Sequence, residues 1–186
     1  MSNERNRVCP VELADSLDSR IRGWVQNPRK ILAPYVSEGM TVLDIGCGPG
    51  FFSVELAKIV GARGKVYAAD LQEGMLAKLR DNIQGTALQE IITPVQCGRE
   101  TINVPGHFDF GLAFYMVHEV PDKGSFFRQL KSLLNEQGRL LVVEPKLFHV
   151  SEKEFALTTA VAESAGFKIH PGPRLPLSWS ALLSNT

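Results

Sequence analysis

The sequence predicts an α/β fold built on a doubly wound, mostly parallel sheet. Three observations carry that prediction. Short, nearly continuous apolar runs alternate with segments whose apolar residues keep helical spacing. Strands that read as continuous apolar runs are covered on both faces, as in a parallel sheet flanked by helices. The first run ends in a glycine-rich turn, Gly46, Gly48 and Gly50, that opens the next helical segment.

The elements follow in order. "TVLDIG" (41–46) is a buried strand, and Phe52, Leu56, Ile59 and Val60 give the following segment a helical face. "GKVYAAD" (64–70) is a second strand, closed by an acid; Met75, Leu76, Leu79 and Ile83 mark the next helix. "EIITPVQ" (90–96) is a third strand, in which Pro94 favours an edge or end position. "HFDFGLAFYM" (107–116) is the fourth. Phe126, Phe127, Leu130, Leu133 and Leu134 form another helical face, and "NEQG" (135–138) turns the chain into a fifth strand, "RLLVVEP" (139–145). Ser151 and Glu154 form a capping box for a helix that Gly166 ends. "FKIHPG" and "PLSWSALLS" read as a final hairpin. Upstream, Asn27 and Pro28 suit a helix cap and a first helical position. Right-handed crossovers between the parallel strands make the sheet doubly wound, with its ligand site beyond the strands' carboxyl ends.

Composition narrows the function. The chain has 186 residues, one domain's worth, with 20 Lys+Arg against 20 Asp+Glu. A dedicated nucleic-acid binder carries a basic excess, so no nucleic acid is expected and a small or neutral substrate is favoured. Three cysteines make no disulfide framework in a chain this long. The N-terminus is polar, and no run approaches the roughly 18 apolar residues of a membrane span. The expectation is a cytoplasmic protein without a membrane partner. No zinc-type cysteine spacing or magnesium-type acid cluster is evident, so no metal is expected.

Glycines past a first strand let backbone come close to a ligand, and the helix they open offers free N–H groups and partial positive charge. A dinucleotide fingerprint would be G-x-G-x-x-G. Here the spacing is G-x-G-x-G, and Phe51 stands where the last fingerprint glycine belongs. Asp44 sits two residues before Gly46, where a pyrophosphate site has little use for a carboxylate. A nicotinamide-dependent reductase is further disfavoured by the lack of a Tyr-x-x-x-Lys pair.

"VLDIGCGPG" resembles motif I of the class I S-adenosylmethionine-dependent methyltransferases. "VYAAD" resembles their second-strand motif. "FDFGLAFYMVHEVPD" is similar to the fourth-strand motif of the type-11 branch, which contains ubiquinone/menaquinone and arsenite methyltransferases. "LLNEQGRLLVVEP" resembles the fifth-strand region. The resemblance runs through the whole chain in the right order. It implies a Rossmann-like sheet of seven strands with the last one reversed, and an N-terminal helical lid over 1–36 before a cofactor-binding domain over 37–186.

The resemblance also implies roles for particular residues. The Gly46 and Gly48 backbone, in the turn with Cys47 and Gly50, lies against the methionine part of the cofactor, and Asp44 helps hold its ammonium. Asp70 binds the ribose hydroxyls, Leu71 meets the adenine, and Phe114 and Tyr115 wall the cofactor. The alternatives are that Asp44 only braces the turn, that Asp70 caps the next helix and that the aromatics are core. Where the family often has Gly-Asp-Ala after strand three, this chain has "QCGRE", so Glu100 or the Cys97 and Gly98 backbone takes the adenine contact.

Methyl transfer from a sulfonium is an in-line displacement that mainly needs positioning; a general base is needed only when the attacking acceptor carries a proton. His118 and Glu119, just past strand four, are the catalytic candidates, and Glu144 at the end of strand five is a substrate-contact candidate. The aromatic-terminated Asn/Asp-Pro-Pro motif of amino-methylating enzymes is replaced by "FYMV", so the expected acceptor is a small molecule other than a base amine. Arsenite chemistry would need thiols such as Cys9 and Cys97 to meet. The short chain leaves a minimal substrate region, which a homodimer partner would complete. A cofactor-binding relative without turnover, or an enzyme acting on RNA or protein, is the alternative reading.

Overall fold

The structure, a computed structural model, describes residues 27–146 and 150–185. The expected lid lies outside them up to residue 26, and with it Cys9, Arg20, Arg22 and Trp24; His149 lies outside them as well.

One seven-stranded sheet contains β1 (Thr41–Ile45), β2 (Lys65–Asp70), β3 (Ile92–Gln96), β4 (Phe108–Phe114), β5 (Leu134–Pro145), β6 (Lys168–Pro171) and β7 (Ser178–Ser184). The strand order is β3-β2-β1-β4-β5-β7-β6. Pairing is parallel from β3 to β5, and β7 runs antiparallel to both its neighbours. The reversed strand is therefore the last one in sequence, as expected. Pro94 lies in β3, at the sheet edge, where its missing N–H costs no ladder bond.

Among the described residues five α-helices cover the sheet: α1 (Pro28–Leu32), α2 (Phe51–Val60), α3 (Glu73–Ile83), α4 (Lys123–Leu133) and α5 (Glu152–Ser164). Period-two alternation splits the strands' side chains between two cores. Val42, Val66 and Phe110 pack with α1–α3 through Leu32, Leu56 and Leu79. Leu43, Phe108 and Val142 pack on the other face with Phe127 and Leu130 of α4 and Ala162 of α5. The caps are those the sequence calls for. The Asn27 side chain accepts the Lys30 N–H with Pro28 in the first turn, and Ser151 and Glu154 exchange hydrogen bonds as a complete capping box.

One boundary differs from expectation. Leu134 belongs to β5 rather than to α4, and "NEQG" bulges within a single continuous strand instead of preceding it. The register shows the bulge: Phe108 lies opposite Leu134, but Phe110 lies opposite Arg139. Turn-forming residues loop out there because pairing resumes on both sides. Asp109 fastens the bulge, accepting the Asn135 side-chain amide at 2.6 Å and the Thr41 backbone N–H at 2.9 Å. These bonds tie the amino ends of β1, β4 and β5 together.

From β1 the chain steps outward through β2 to β3, then returns to the other side of β1 as β4. The carboxyl ends of β1 and β4 are thus the switch point, where a crevice opens.

Replacing Asp109 by Ala leaves the half-buried Thr41 N–H without its acceptor. We expect a loss of about 1–3 kcal/mol, read as a lower midpoint at unchanged slope in urea unfolding.

Candidate active site

The crevice holds a cavity of about 650 Å³ formed by the carboxyl ends of β1, β2, β3 and β4. The turn after β1 forms its floor. Gly46 and Cys47 both donate backbone N–H groups to the Ala69 carbonyl, at 2.8 and 3.0 Å, which holds the turn against the end of β2. Gly46 has φ +73, and a Cβ there would meet Met116 Cβ and Cγ at 2.8 and 2.7 Å. The glycine is required twice, by its left-handed backbone and by the close approach of the segment after β4. Gly50 differs. It starts α2 with φ +92, and a Cβ there would run into Leu79 of α3. Its bareness serves helix packing, and it does not line the cavity.

Two acids flank the turn. Asp44 is 2% exposed, on the face of β1 that looks toward α2. Its Oδ2 accepts the Ser53 hydroxyl at 2.6 Å. Burial, reinforced by the Asp70 charge and opposed by hydrogen bonds from Ser53, pushes its carboxyl up to about 7. Asp70 closes β2. Its Oδ2 accepts the Gly48 N–H at 2.9 Å and its Oδ1 the Gln72 N–H at 2.8 Å. Burial raises it too, against the pull of those backbone donors. The structural roles differ from the alternatives foreseen: Asp44 ties β1 to α2 through Ser53 rather than bracing the turn, and Asp70 ties the glycine turn to Gln72 at the entrance of α3 without giving that helix a side-chain cap.

An aromatic wall rises opposite. Phe114 packs on Phe52 with ring centroids 4.3 Å apart and on Tyr115 at 4.5 Å. Tyr115 takes φ +59, an uncommon backbone for a bulky residue. Its N–H donates to the Val143 carbonyl at 2.8 Å, and its hydroxyl meets the Ser178 hydroxyl at 2.6 Å. These bonds hold a strained residue at the cavity edge.

Beyond it, Val117–Glu119 forms a short 3-10 turn. Glu144 of β5, 1% exposed, accepts three hydrogen bonds from this turn. Its Oε1 takes the Val117 N–H at 2.9 Å; its Oε2 takes the His118 N–H at 3.2 Å and lies 2.6 Å from His118 Nδ1. Burial pulls His118 down, but the hydrogen bond and the charges of Glu144 and Glu119 outweigh it, and the imidazole is raised above its ordinary value. Glu119 stands 3.9 Å from His118 Nε2.

Of the residues singled out in the sequence, Asp44, Gly46, Cys47, Gly48, Asp70, Leu71, Glu100, Phe114, Tyr115 and Glu119 line the cavity. Gly50, His118 and Glu144 do not; His118 turns toward Glu144 at the cavity's flank. Glu100 is exposed on the loop after β3, and that loop is pinned by a residue the sequence did not flag. Gln129 of α4 accepts the Ile102 N–H at 3.1 Å and donates to the Glu100 carbonyl at 2.8 Å. Nothing in the sequence distinguishes it from a solvated helical glutamine. Met116 was hidden in the same way, inside an apolar run.

Among the described residues the two thiols are shifted away from the thiolate form. Burial, with the Asp44 and Asp70 charges, pushes Cys47 far up, and burial with Asp70 raises Cys97 to about 11. Both stay protonated at neutral pH, against the needs of a thiolate ligand set. Among the described residues no group of three or more His, Cys, Asp or Glu could hold a metal, and no helix is long and apolar enough to cross a membrane.

The donor set fits S-adenosylmethionine, a ligand with an ammonium, a sulfonium, a vicinal diol and a flat base. Two buried acids without a paired basic side chain among the described residues supply countercharge. Each Asp70 oxygen keeps a second lone pair for a hydroxyl beyond its backbone donor. Leu71, Met75, Cys97 and Ile102 line the cavity with apolar side chains that a flat base would fit.

A model of the methyltransferase domain matches residues 36–172. A ubiquinone/menaquinone biosynthesis C-methyltransferase from Shewanella frigidimarina is 28% identical over 151 residues, covering 81% of this chain and 57% of that protein. The enzyme of the same name from Shewanella sp. strain ANA-3 is 29% identical over 134 residues, 72% of this chain and 51% of that one. The chain thus spans a little over half the length of these curated relatives. A solved SAM-dependent methyltransferase from Aquifex aeolicus superposes with a TM-score of 0.85 at 25% identity, covering 95% of this chain and 98% of the other. The fold is shared more widely: a TehB-like SAM-dependent methyltransferase from Corynebacterium glutamicum gives 0.71 at 15% identity, covering 95% and 100%. With its glycine turn, its two flanking acids and a domain match over most of its length, the chain belongs to the methyltransferase-domain family, the class I S-adenosylmethionine-dependent methyltransferases.

Proposed function

We propose that this chain methylates a small molecule and that His118 accepts the proton such an acceptor loses. The observation that carries the proposal is a single cavity lined both by acids and a glycine turn, Asp44, Asp70, Gly46 and Gly48, and by the rings of Phe51, Phe52, Phe114 and Tyr115. S-adenosylmethionine, when bound, supplies a methyl group already activated as a sulfonium. What remains for the protein is alignment and the exclusion of water, a contribution of roughly 7–11 kcal/mol in well-oriented systems. The rings suit a flat, weakly polar acceptor. The names of the Shewanella relatives, enzymes of ubiquinone/menaquinone biosynthesis, point to the same chemistry.

A phenol- or quinol-like acceptor attacks well only after its hydroxyl proton leaves. Glu144 holds His118 through Nδ1, so the neutral ring donates there and carries its lone pair on Nε2, the side of Glu119. Glu119 lines the cavity and bridges the dyad to it. A lid formed by residues 1–36 and a second copy of the chain that completes the pocket belong to the same reading; light scattering that finds only monomer in an active preparation removes the second copy.

Two measurements test the reading. Incubation with S-adenosylmethionine and a panel of phenols, quinols, thiols and amines is expected to yield S-adenosylhomocysteine with phenolic or quinolic acceptors; binding without turnover on any of them would return the chain to a sensor role. On the best acceptor, His118→Gln should lower kcat by about 10²–10⁴-fold and leave S-adenosylhomocysteine affinity unchanged. The unprotonated ring is the active form, so activity should rise with pH through a midpoint above the ordinary histidine value, and Glu144→Gln should move that midpoint to lower pH.

The cofactor seat has its own test. Asp70→Ala removes the acceptor of the Gly48 and Gln72 N–H groups and of the ribose diol, and should weaken S-adenosylhomocysteine binding at least about tenfold by calorimetry. Unchanged affinity would move the ribose site elsewhere.

A further inference from the structure

We infer that the Asp44–Ser53 pair is a proton-releasing socket: the free protein holds a proton on the Asp44 carboxyl, and ligand binding exchanges that proton for the ligand's ammonium. The inference rests on the reading of the cavity as a seat for S-adenosylmethionine and extends it to the charge balance of binding.

The argument starts from the surroundings of the carboxyl. Asp44 is buried in the cavity floor, and its donors among the described residues come from Ser53 alone, the hydroxyl at 2.6 Å and the backbone N–H beside it. A buried carboxylate needs a countercharge, because desolvation of an unpaired ion is far more costly than a lost hydrogen bond. The elements packed around Asp44 supply none. From α2 comes Ser53, a neutral donor. From the turn comes Cys47, a thiol that stays protonated. From the end of β2 comes Asp70, a second acid whose charge opposes ionisation of the first. From β4 come Phe114 and Tyr115, with no cation. Two acids share the cavity floor, and among the described residues neither has a basic side chain paired with it.

A proton on Asp44 is the available neutralising charge, and burial, which pushes the carboxyl up to about 7, acts in the same direction. The proton also makes the Ser53 contact reciprocal, since a protonated carboxyl can donate as well as accept. A ligand that brings an ammonium to Asp44 supplies the missing cation. Asp44 then ionises: one O–H bond breaks, the proton goes to the buffer, and the carboxylate pairs with the ammonium. No other bond changes. The consequence is a proton-linked affinity, weaker at acid pH because the socket must first be emptied.

Calorimetric titration of the full chain with S-adenosylhomocysteine tests this without any methyl acceptor. At pH 6, in buffers of differing ionisation enthalpy, about one proton should be released per ligand bound; at pH 8 the release should be close to none. For a group titrating at about 7, affinity should be about tenfold weaker at pH 6 than at pH 8. Asp44→Asn should abolish both effects. Ser53→Ala keeps the carboxyl but removes its hydroxyl donor, and should shift the release to higher pH, which provides a test if the Asn variant does not fold. Binding enthalpy that ignores the buffer at pH 6, or release that survives Asp44→Asn, would overturn the inference and leave the cofactor seat intact. Absence of S-adenosylhomocysteine binding at both pH values would overturn the seat and the inference together.

Discussion

The site depends on a close approach of three strand ends, made possible by one missing side chain. Gly46 and Cys47 lie flat on the Ala69 carbonyl of β2, while Met116 descends from β4 onto the Gly46 α-carbon. With that contact the glycine turn, the Asp70 carboxylate and the aromatic wall face one another across a single cavity. Without it the end of β4 would have to lift from β1, and the two halves of the crevice would separate. The parallel sheet and its two cores set the strand ends level; the glycine turns that levelness into a seat.

On the far side of the crevice a carboxylate performs the corresponding task. Past Phe114 the ladder between β4 and β5 runs out, and Glu144 takes over as acceptor for the Val117 and His118 N–H groups. A side chain thereby continues a sheet where the backbone cannot. The same carboxylate fixes the imidazole of His118, so the geometry of the turn and the basicity of the ring have a common source. Asp44, Asp70 and Glu144 close strands β1, β2 and β5 or stand one residue from their ends, and each accepts hydrogen bonds from the segment packed beyond its strand.

Much of this was legible in the sequence because it is local. The strand runs, the Asn27 and Ser151 caps, the edge position of Pro94 and the acids that end β1 and β2 all lie within a few residues of the features they control. What stayed hidden is long-range. The role of Gly50 depends on Leu79, the pinning of the loop after β3 depends on Gln129, and the contact that requires Gly46 depends on Met116. The bulge in β5 was misread as a turn for the same reason: its residues have turn chemistry, and only the pairing with β4 and the Asp109 anchor keeps them inside one strand. His118 pointed to chemistry in the sequence, yet its orientation toward Glu144 rather than into the cavity follows from tertiary placement alone.

Tyr115 carries a cost that the rest of the fold must carry with it. A left-handed backbone on a bulky residue is worth of order 1–3 kcal/mol of strain, and the bonds to Val143 and Ser178 hold it in place. Selection for stability alone would put glycine there, relieving the backbone and erasing the ring. Position 115 is thus a place where an easy backbone and a ring on the cavity wall pull in opposite directions. An engineered variant that gains its stability at that residue will have given up part of the cavity's wall.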